Sequence, residues 1–162
     1  MNLKFKEKDV SGYNTIFEEK DYQKRTSKAQ DATNSFYTLI TKFYESFASL
    51  DAESMVECYH NDVVFEDPAF GILKGERARN MWRMLIESQK DQPFVVQYGN
   101  IGTNETLGRA DWKAAYFFSK TGRRVLNKIH AEFEFKDGKI IKHTDNFNLY
   151  WWSCQALGIP GY

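Results

Sequence analysis

ESMVECYHNDVVFEDPAFGILKGERA, residues 53–78, joins two kinds of structure. Asp51, just ahead of it, can cap a short helix carrying Met55, Val56 and Tyr59, which ends around His60 and Asn61. Val63, Val64 and Phe65 then read as a strand, and Glu66 and Asp67 stand side by side before Pro68. Asp before Pro starts turns, and a turn must carry the chain on to Gly71. Strand parity nevertheless puts the two acids on opposite faces, so Glu66 serves the turn and the surface while Asp67 looks inward.

Upstream, Asn34 or Ser35 can cap a longer helix, since Phe36, Leu39, Ile40, Phe43, Phe47 and Leu50 recur at helical spacing. Downstream, Gly75 precedes a third helix with Ala78, Met81, Trp82, Leu85 and Ile86 in one apolar stripe, and Pro93 stops any continuation. Beyond it the period changes to two. Segments 94–102, 107–119, 123–136 and 139–150 read as strands joined by short turns, of which Thr121-Gly122 and Asp137-Gly138 are the clearest. Four long antiparallel strands with three helices on one face make an α+β domain. Residues 1–33 form a polar N-terminal arm with sparse apolar points at Tyr13, Ile16, Phe17 and Tyr22; the spacing fits an amphipathic arm and a plain tail equally, and 34–162 is the domain.

Composition narrows the function. The 162 residues fit one domain, and 22 Lys plus Arg balance 22 Asp plus Glu, so no global field recruits nucleic acid or an acidic membrane. No apolar stretch is long enough to span a bilayer, and the charged first 30 residues lack a secretory signal's apolar segment, so a cytoplasmic location is expected. Cys58 and Cys154 read as reduced core thiols. His60, His130 and His143 have no carboxylate at a ligand spacing, so neither a metal nor another cofactor is expected. Aromatic content of 16% implies either a tightly packed core or a cavity lined with rings.

Parity assigns the strand faces. Trp112, Ala114, Tyr116 and Phe118 point toward the helices, as do Ile129, Ala131, Phe133 and Phe135. In the last strand Ile141, His143, Asp145 and Phe147 share the inward row, which therefore holds a histidine and a carboxylate. These two either satisfy one another as a structural pair or line a cavity with Asp67; convergence from separate elements favours the cavity.

The order of elements together with residues 53–78 resembles the superfamily of nuclear transport factor 2, ketosteroid isomerase and the SnoaL-like polyketide cyclases, over roughly Asn34 to Tyr162. The resemblance implies a cone, in which a curved, mostly antiparallel sheet wraps three helices and a pocket opens at the wide end. CYHNDVVFEDPAFG (58–71) is similar to the isomerase segment whose Asp is the proton-shuttling base, which implies that role for Asp67. GKIIKHTDNF (138–147) resembles the SnoaL-like pattern in which a His-x-Asp supplies the acid/base, which implies Asp145 with His143 beside it. FNLYWWSCQALG (147–158) resembles a closing segment that folds back near the cone mouth. The isomerase's oxyanion donors fall at Phe43 and Ala131, neither of which can donate, and this argues against a steroid isomerase.

The expected function is a small-molecule-binding protein, either a cofactor-free isomerase, cyclase or dehydratase acting by proton transfer on an apolar carbonyl compound, or a binding or protective protein without turnover. A purely structural or adaptor domain is the third reading. Asp145 is the expected base, His143 its orienter or relay, and Asp67 a second acid/base. Trp112, Tyr116, Phe133, Phe147, Tyr44, Tyr59 and Trp82 are the expected ligand wall. A homodimer through the outer face of the sheet is expected around Ala115 and Phe117.

Overall fold

A computed structural model describes residues 27–158. Helix α1 (Ser27–Ala48) buries Ile40, Phe43, Tyr44 and Phe47, the apolar stripe read from the sequence. It begins a full two turns before the expected cap, because Asn34 is held inside the helix: its carbonyl accepts from Thr38 Oγ1 (3.0 Å) and its Oδ1 from Gln30 Nε2 (3.0 Å). The expected arm is therefore helical from Ser27, and its apolar points Tyr13, Ile16, Phe17 and Tyr22 lie outside the described residues.

Helix α2 (Ala52–Val56) is capped as expected, with the Asp51 side chain accepting from Ser54 N. Tyr59 is not on it. The Cys58 carbonyl accepts from Ile140 N (2.9 Å), which draws the chain into the sheet, and Tyr59 opens strand β1 (Tyr59–Asp67). After the Pro68 turn a short strand β2 (Gly71–Lys74), too brief to show a period, pairs back on β1 with Asp67 opposite Gly71. Helix α3 (Glu76–Gln89) follows Gly75 and buries Ala78, Met81, Trp82 and Ile86.

Strands β3 (Val95–Thr103), β4 (Leu107–Phe118), β5 (Arg123–Lys136) and β6 (Lys139–Asn146) complete a six-stranded sheet in the order β2-β1-β6-β5-β4-β3. Among the described residues all pairings are antiparallel except β1 with β6, and the sheet is curved and unclosed. Bulges bend it. One lies between Gly99 and Gly102 in β3, where Asn100 adopts a φ of 52° and its amide donates to Asp111 Oδ2 (2.8 Å). Another lies at Ile141, an extra residue between the Lys142 and Ile140 pairings with β5. It reverses the parity of the start of β6, so Ile140, not Ile141, is the fully buried residue there.

The concave face meets the helices. Gly108 permits the closest approach: a Cβ there would lie 2.8 Å from Ile40 Cδ1 and 2.9 Å from Phe135 Cζ. Ala110, Trp112, Ala114, Ile129, Ala131 and Phe133 are buried on that face as parity requires. The chain does not continue as a strand to residue 150. Asn148 caps helix α4 (Leu149–Leu157), its side chain accepting from Trp151 N, and Gly158 ends the helix. Among the described residues no helix is long and apolar enough to cross a membrane.

Candidate active site

Two adjacent strands supply the acids. On β6, His143 and Asp145 share the inward face and are 0% and 3% exposed. The parallel register of β1 sets Phe65 beside His143 and Glu66 beside Thr144, so its next step brings Asp67 alongside Asp145. Glu66 is exposed, on the opposite face.

A hydrogen-bonded chain runs behind Asp145. Trp82 Nε1–H, which can only donate, reaches Tyr59 Oη at 2.8 Å. Tyr59 then has its own proton to give, and Oη lies 2.7 Å from His143 Nδ1. With Nδ1 accepting, a neutral imidazole carries its proton on Nε2, which donates to Asp145 Oδ1 at 2.8 Å. Every donor in the chain finds an acceptor in this arrangement. Protonating the ring at Nδ1 as well leaves the Tyr59 hydroxyl with two donors pointing at it and no described acceptor. Rings pack around His143: Phe133 with centroids 4.5 Å apart, Phe65 at 5.1 Å, Phe43 at 5.3 Å, and Trp82 stacked at 6.1 Å. The hydrogen bonds and the rings thus fix the histidine in position and select its tautomer.

Trp112 Nε1–H also points to Asp145 Oδ1, at 3.4 Å. Both donors on one oxygen leave Oδ2 without a described donor, on a residue that lines a cavity of about 450 Å³. That volume suits a small organic ligand. Its wall is mostly apolar, with Phe65, Met81, Trp82, Phe94, Trp112 and Trp152 prominent, and Asp67, Asp145 and Asn127 among its polar members.

Asp67 combines the cavity position read for it with the turn role read for Glu66. Its Oδ1 accepts from the Ala69 and Phe70 amides, holding the turn, while the residue also lines the cavity. Burial pushes its carboxyl above the usual aspartate range, the Asp145 charge adds to this, and the two amides pull the other way. Burial likewise raises the Tyr59 hydroxyl well above its ordinary value, with the Asp145 charge adding to it, so Tyr59 remains a donor.

Of the expected wall, Trp82, Trp112, Tyr116 and Phe147 line the cavity. Phe133, Tyr44 and Tyr59 do not: Phe133 covers His143, Tyr59 belongs to the chain behind Asp145, and Tyr44 is buried against Tyr98 and Trp112. Parity chose the correct side of the sheet for Phe133, but depth within that side depends on how the helices fill the cone. Tyr44 Oη has no hydrogen-bond partner among the described residues, and burial raises its hydroxyl far above the ordinary range. Sequence reasoning missed Asn127 and Trp152. Asn127 continues the inward row of Ile129 and Ala131, so parity alone could have found it. Trp152 required recognising Asn148 as a cap.

Helix α4 closes one side of the cavity. Trp152 Nε1–H donates to Tyr116 Oη (2.8 Å) and its ring meets Phe118 edge-on. Arg123 Nε–H donates to the Gln155 carbonyl (2.8 Å), and the Gln155 side chain accepts from Leu126 N (2.8 Å), so α4 is tied to the end of the β4–β5 hairpin.

The sequence pattern of the SnoaL-like domain matches residues 40–143. No curated protein sequence matches the chain. Among solved structures, a protein described as a candidate polyketide cyclase from Xanthomonas campestris pv. campestris superposes with a TM-score of 0.62 at 20% identity, covering 76% of this chain and 98% of that one. An LEH-like epoxide hydrolase of M. tuberculosis gives 0.64 at 21% identity, covering 77% and 91%. A nuclear transport factor 2-like protein of Cytophaga hutchinsonii gives 0.57 at 16% identity, covering 72% and 99%. At such identities the likeness concerns the fold, which is the expected cone.

Proposed function

Because the chain belongs to the SnoaL-like family, whose domain pattern spans most of its length, we propose that it is a small-molecule enzyme moving a proton on an apolar, enolisable carbonyl compound. One observation carries the reading: a buried, fully hydrogen-bonded chain from Trp82 through Tyr59 and His143 ends on Asp145 at the wall of a largely apolar cavity. Asp145 removes the proton through Oδ2. His143 and Trp112 steady the carboxylate through Oδ1 and share in holding its charge. Asp67, whose carboxyl holds its proton more readily than an ordinary aspartate, returns a proton to the carbonyl side. Its family supports a small-molecule ligand; the reaction is our inference from the site. A cytoplasmic location is part of the reading, which the free thiols Cys58 and Cys154 support.

A second reading, ligand binding without turnover, is favoured by the residues at the positions of the isomerase's oxyanion donors, Phe43 and Ala131, which offer no hydrogen bond to a developing enolate. Deuterium uptake from D₂O into the α-carbons of a ketone panel, read by mass spectrometry, separates the two. Asp145→Asn is expected to lower exchange on the order of 10²- to 10⁴-fold while ligand still binds. Loss on Asp67→Asn with retention on Asp145→Asn transfers the base to Asp67. Wild-type exchange in both variants shows that neither carboxylate is the base and overturns the site, whereas no exchange by the wild type of any ketone it binds leaves the binding reading standing.

A further inference from the structure

We infer that the cavity has a second polar anchor, formed by Tyr116 and Asn127, and that its ligand is an elongate apolar ketone carrying a hydroxyl at the end remote from the carbonyl. The inference rests on the cavity being the ligand site, and it adds which molecules that site accepts.

Asn127 stands on the inward face of β5, between Val125 and Ile129, at a position where its neighbours in the row are apolar and buried. Its side chain lines the cavity, and no described residue hydrogen-bonds to it. An amide on such a wall is not required for packing, which a leucine of similar size serves as well. Tyr116 is its neighbour. β4 and β5 pair Ala114 with Asn127 and Tyr116 with Val125, so Tyr116 and Asn127 are diagonal partners on one face, about 7–8 Å apart along the backbone and within reach of long side chains. The Tyr116 oxygen accepts from Trp152 Nε1, and its own O–H meets no described acceptor. Burial, with the Asp67 charge adding to it, raises the Tyr116 hydroxyl, which keeps it a donor.

These groups specify a chemistry. Tyr116 offers a proton, and Asn127 offers both an acceptor and a donor. A ligand hydroxyl completes both: its oxygen accepts from Tyr116 while its proton goes to Asn127 Oδ1. An ether oxygen accepts but leaves Asn127 Oδ1 without a donor, and a methyl group leaves both residues unpaired in an aromatic wall.

Register also fixes the separation. Asp145 pairs with Ala131, and Asn127 lies four residues further along β5, roughly 13 Å at about 3.3 Å per residue. Side chains reach inward from both ends, so the ligand's reacting carbon and its hydroxyl stand on the order of 8–10 Å apart, with the apolar body between them against Ile129 and Trp112.

A matched pair of probes tests this: 4-(4-hydroxyphenyl)cyclohexanone and 4-phenylcyclohexanone, which differ only in the remote hydroxyl. Affinity is read by calorimetry and by quenching of the cavity tryptophans. The wild type is expected to bind the hydroxylated probe at least tenfold more tightly, and Tyr116→Phe and Asn127→Leu are each expected to bring that ratio close to one. Tyr116→Phe is nearly isosteric, so it stands in should Asn127→Leu fail to fold. Equal affinities in the wild type, a ratio that survives both folded variants, or failure of both probes to bind at millimolar concentration overturns the inference. Asp145→Asn is expected to keep the ratio. Discrimination without deuterium uptake therefore removes the proposed reaction and leaves the anchor, whereas uptake without discrimination does the reverse.

Discussion

Tyr59 is the residue on which the site's order depends, since it accepts from Trp82 and donates to His143 with both partners buried. Tyr59→Phe leaves two buried groups unpaired at about 1–3 kcal/mol each, so thermal unfolding should fall well beyond the loss expected for a hydroxyl alone. It also takes the donor from His143 Nδ1, so the ring keeps only its bond to Asp145, and exchange activity should drop with it. Asp67 makes a prediction in pH. Its folded-state carboxyl titrates above the ordinary aspartate value, so between the two values the folded chain holds a proton the unfolded chain has lost, and stability declines as pH rises through that window. Asp67→Asn keeps an oxygen for the Ala69 and Phe70 amides and should flatten that decline; melting temperatures between pH 4 and 8 that track the wild type throughout count against it. Parity made His143, Asp145 and Asp67 legible as inward residues. It could not show Tyr59 behind them, because Tyr59 looked like the end of a helical stripe and its true partner lies 84 positions away in the chain.

Among the elements, α1 and α3 were legible because each carries a repeating apolar stripe over many turns. α4 was not, because Trp151 and Trp152 suit a strand as well as a helix, and the Asn148 cap and the ties to Arg123 and Leu126 decide between them. Asn148→Ala should cost about 1 kcal/mol, concentrated in this one element. Faster amide exchange over 149–157 and quicker ligand release, with the rest of the sheet still protected, is the expected result; uniform loosening of the whole domain would show that α4 does not open separately. The Ile141 bulge was also hidden, since one extra residue inverts every inward assignment on one side of it and leaves no mark in composition.

For the whole molecule, the cone was legible from element order and the 53–78 stretch, while the bulges that bend the sheet and the close packing of Ile40 and Phe135 on Gly108 are revealed only by the folded chain. The outer face bears on assembly. Register sets Val95, Ala115 and Leu126 side by side across three strands, with Val95 and Leu126 40% and 37% exposed. Phe117 lies further along β4 on the same face. We propose that this strip is the seam of a homodimer, with His130, Asp111 and Glu132 on the same surface supplying charge around it. Light scattering at micromolar concentration should give twice the chain mass, and Phe117→Asp should reduce it to one; a monomer from the outset removes the proposal.

The parallel pairing of β1 with β6, unique among the described residues, carries a consequence for how the proposed site is assembled. Asp67 is made early and Asp145 late, and a ribosome completes nearly half the protein between them. Until the last strand slots in beside the first, β1 has only the short β2 for company and the two acids have never met. On the proposed reading a polypeptide stalled before β6 lacks its site however much of its helix and meander has formed, and contacts this distant in sequence are the slow ones in folding. Activity and completion of the fold should appear in the same kinetic phase.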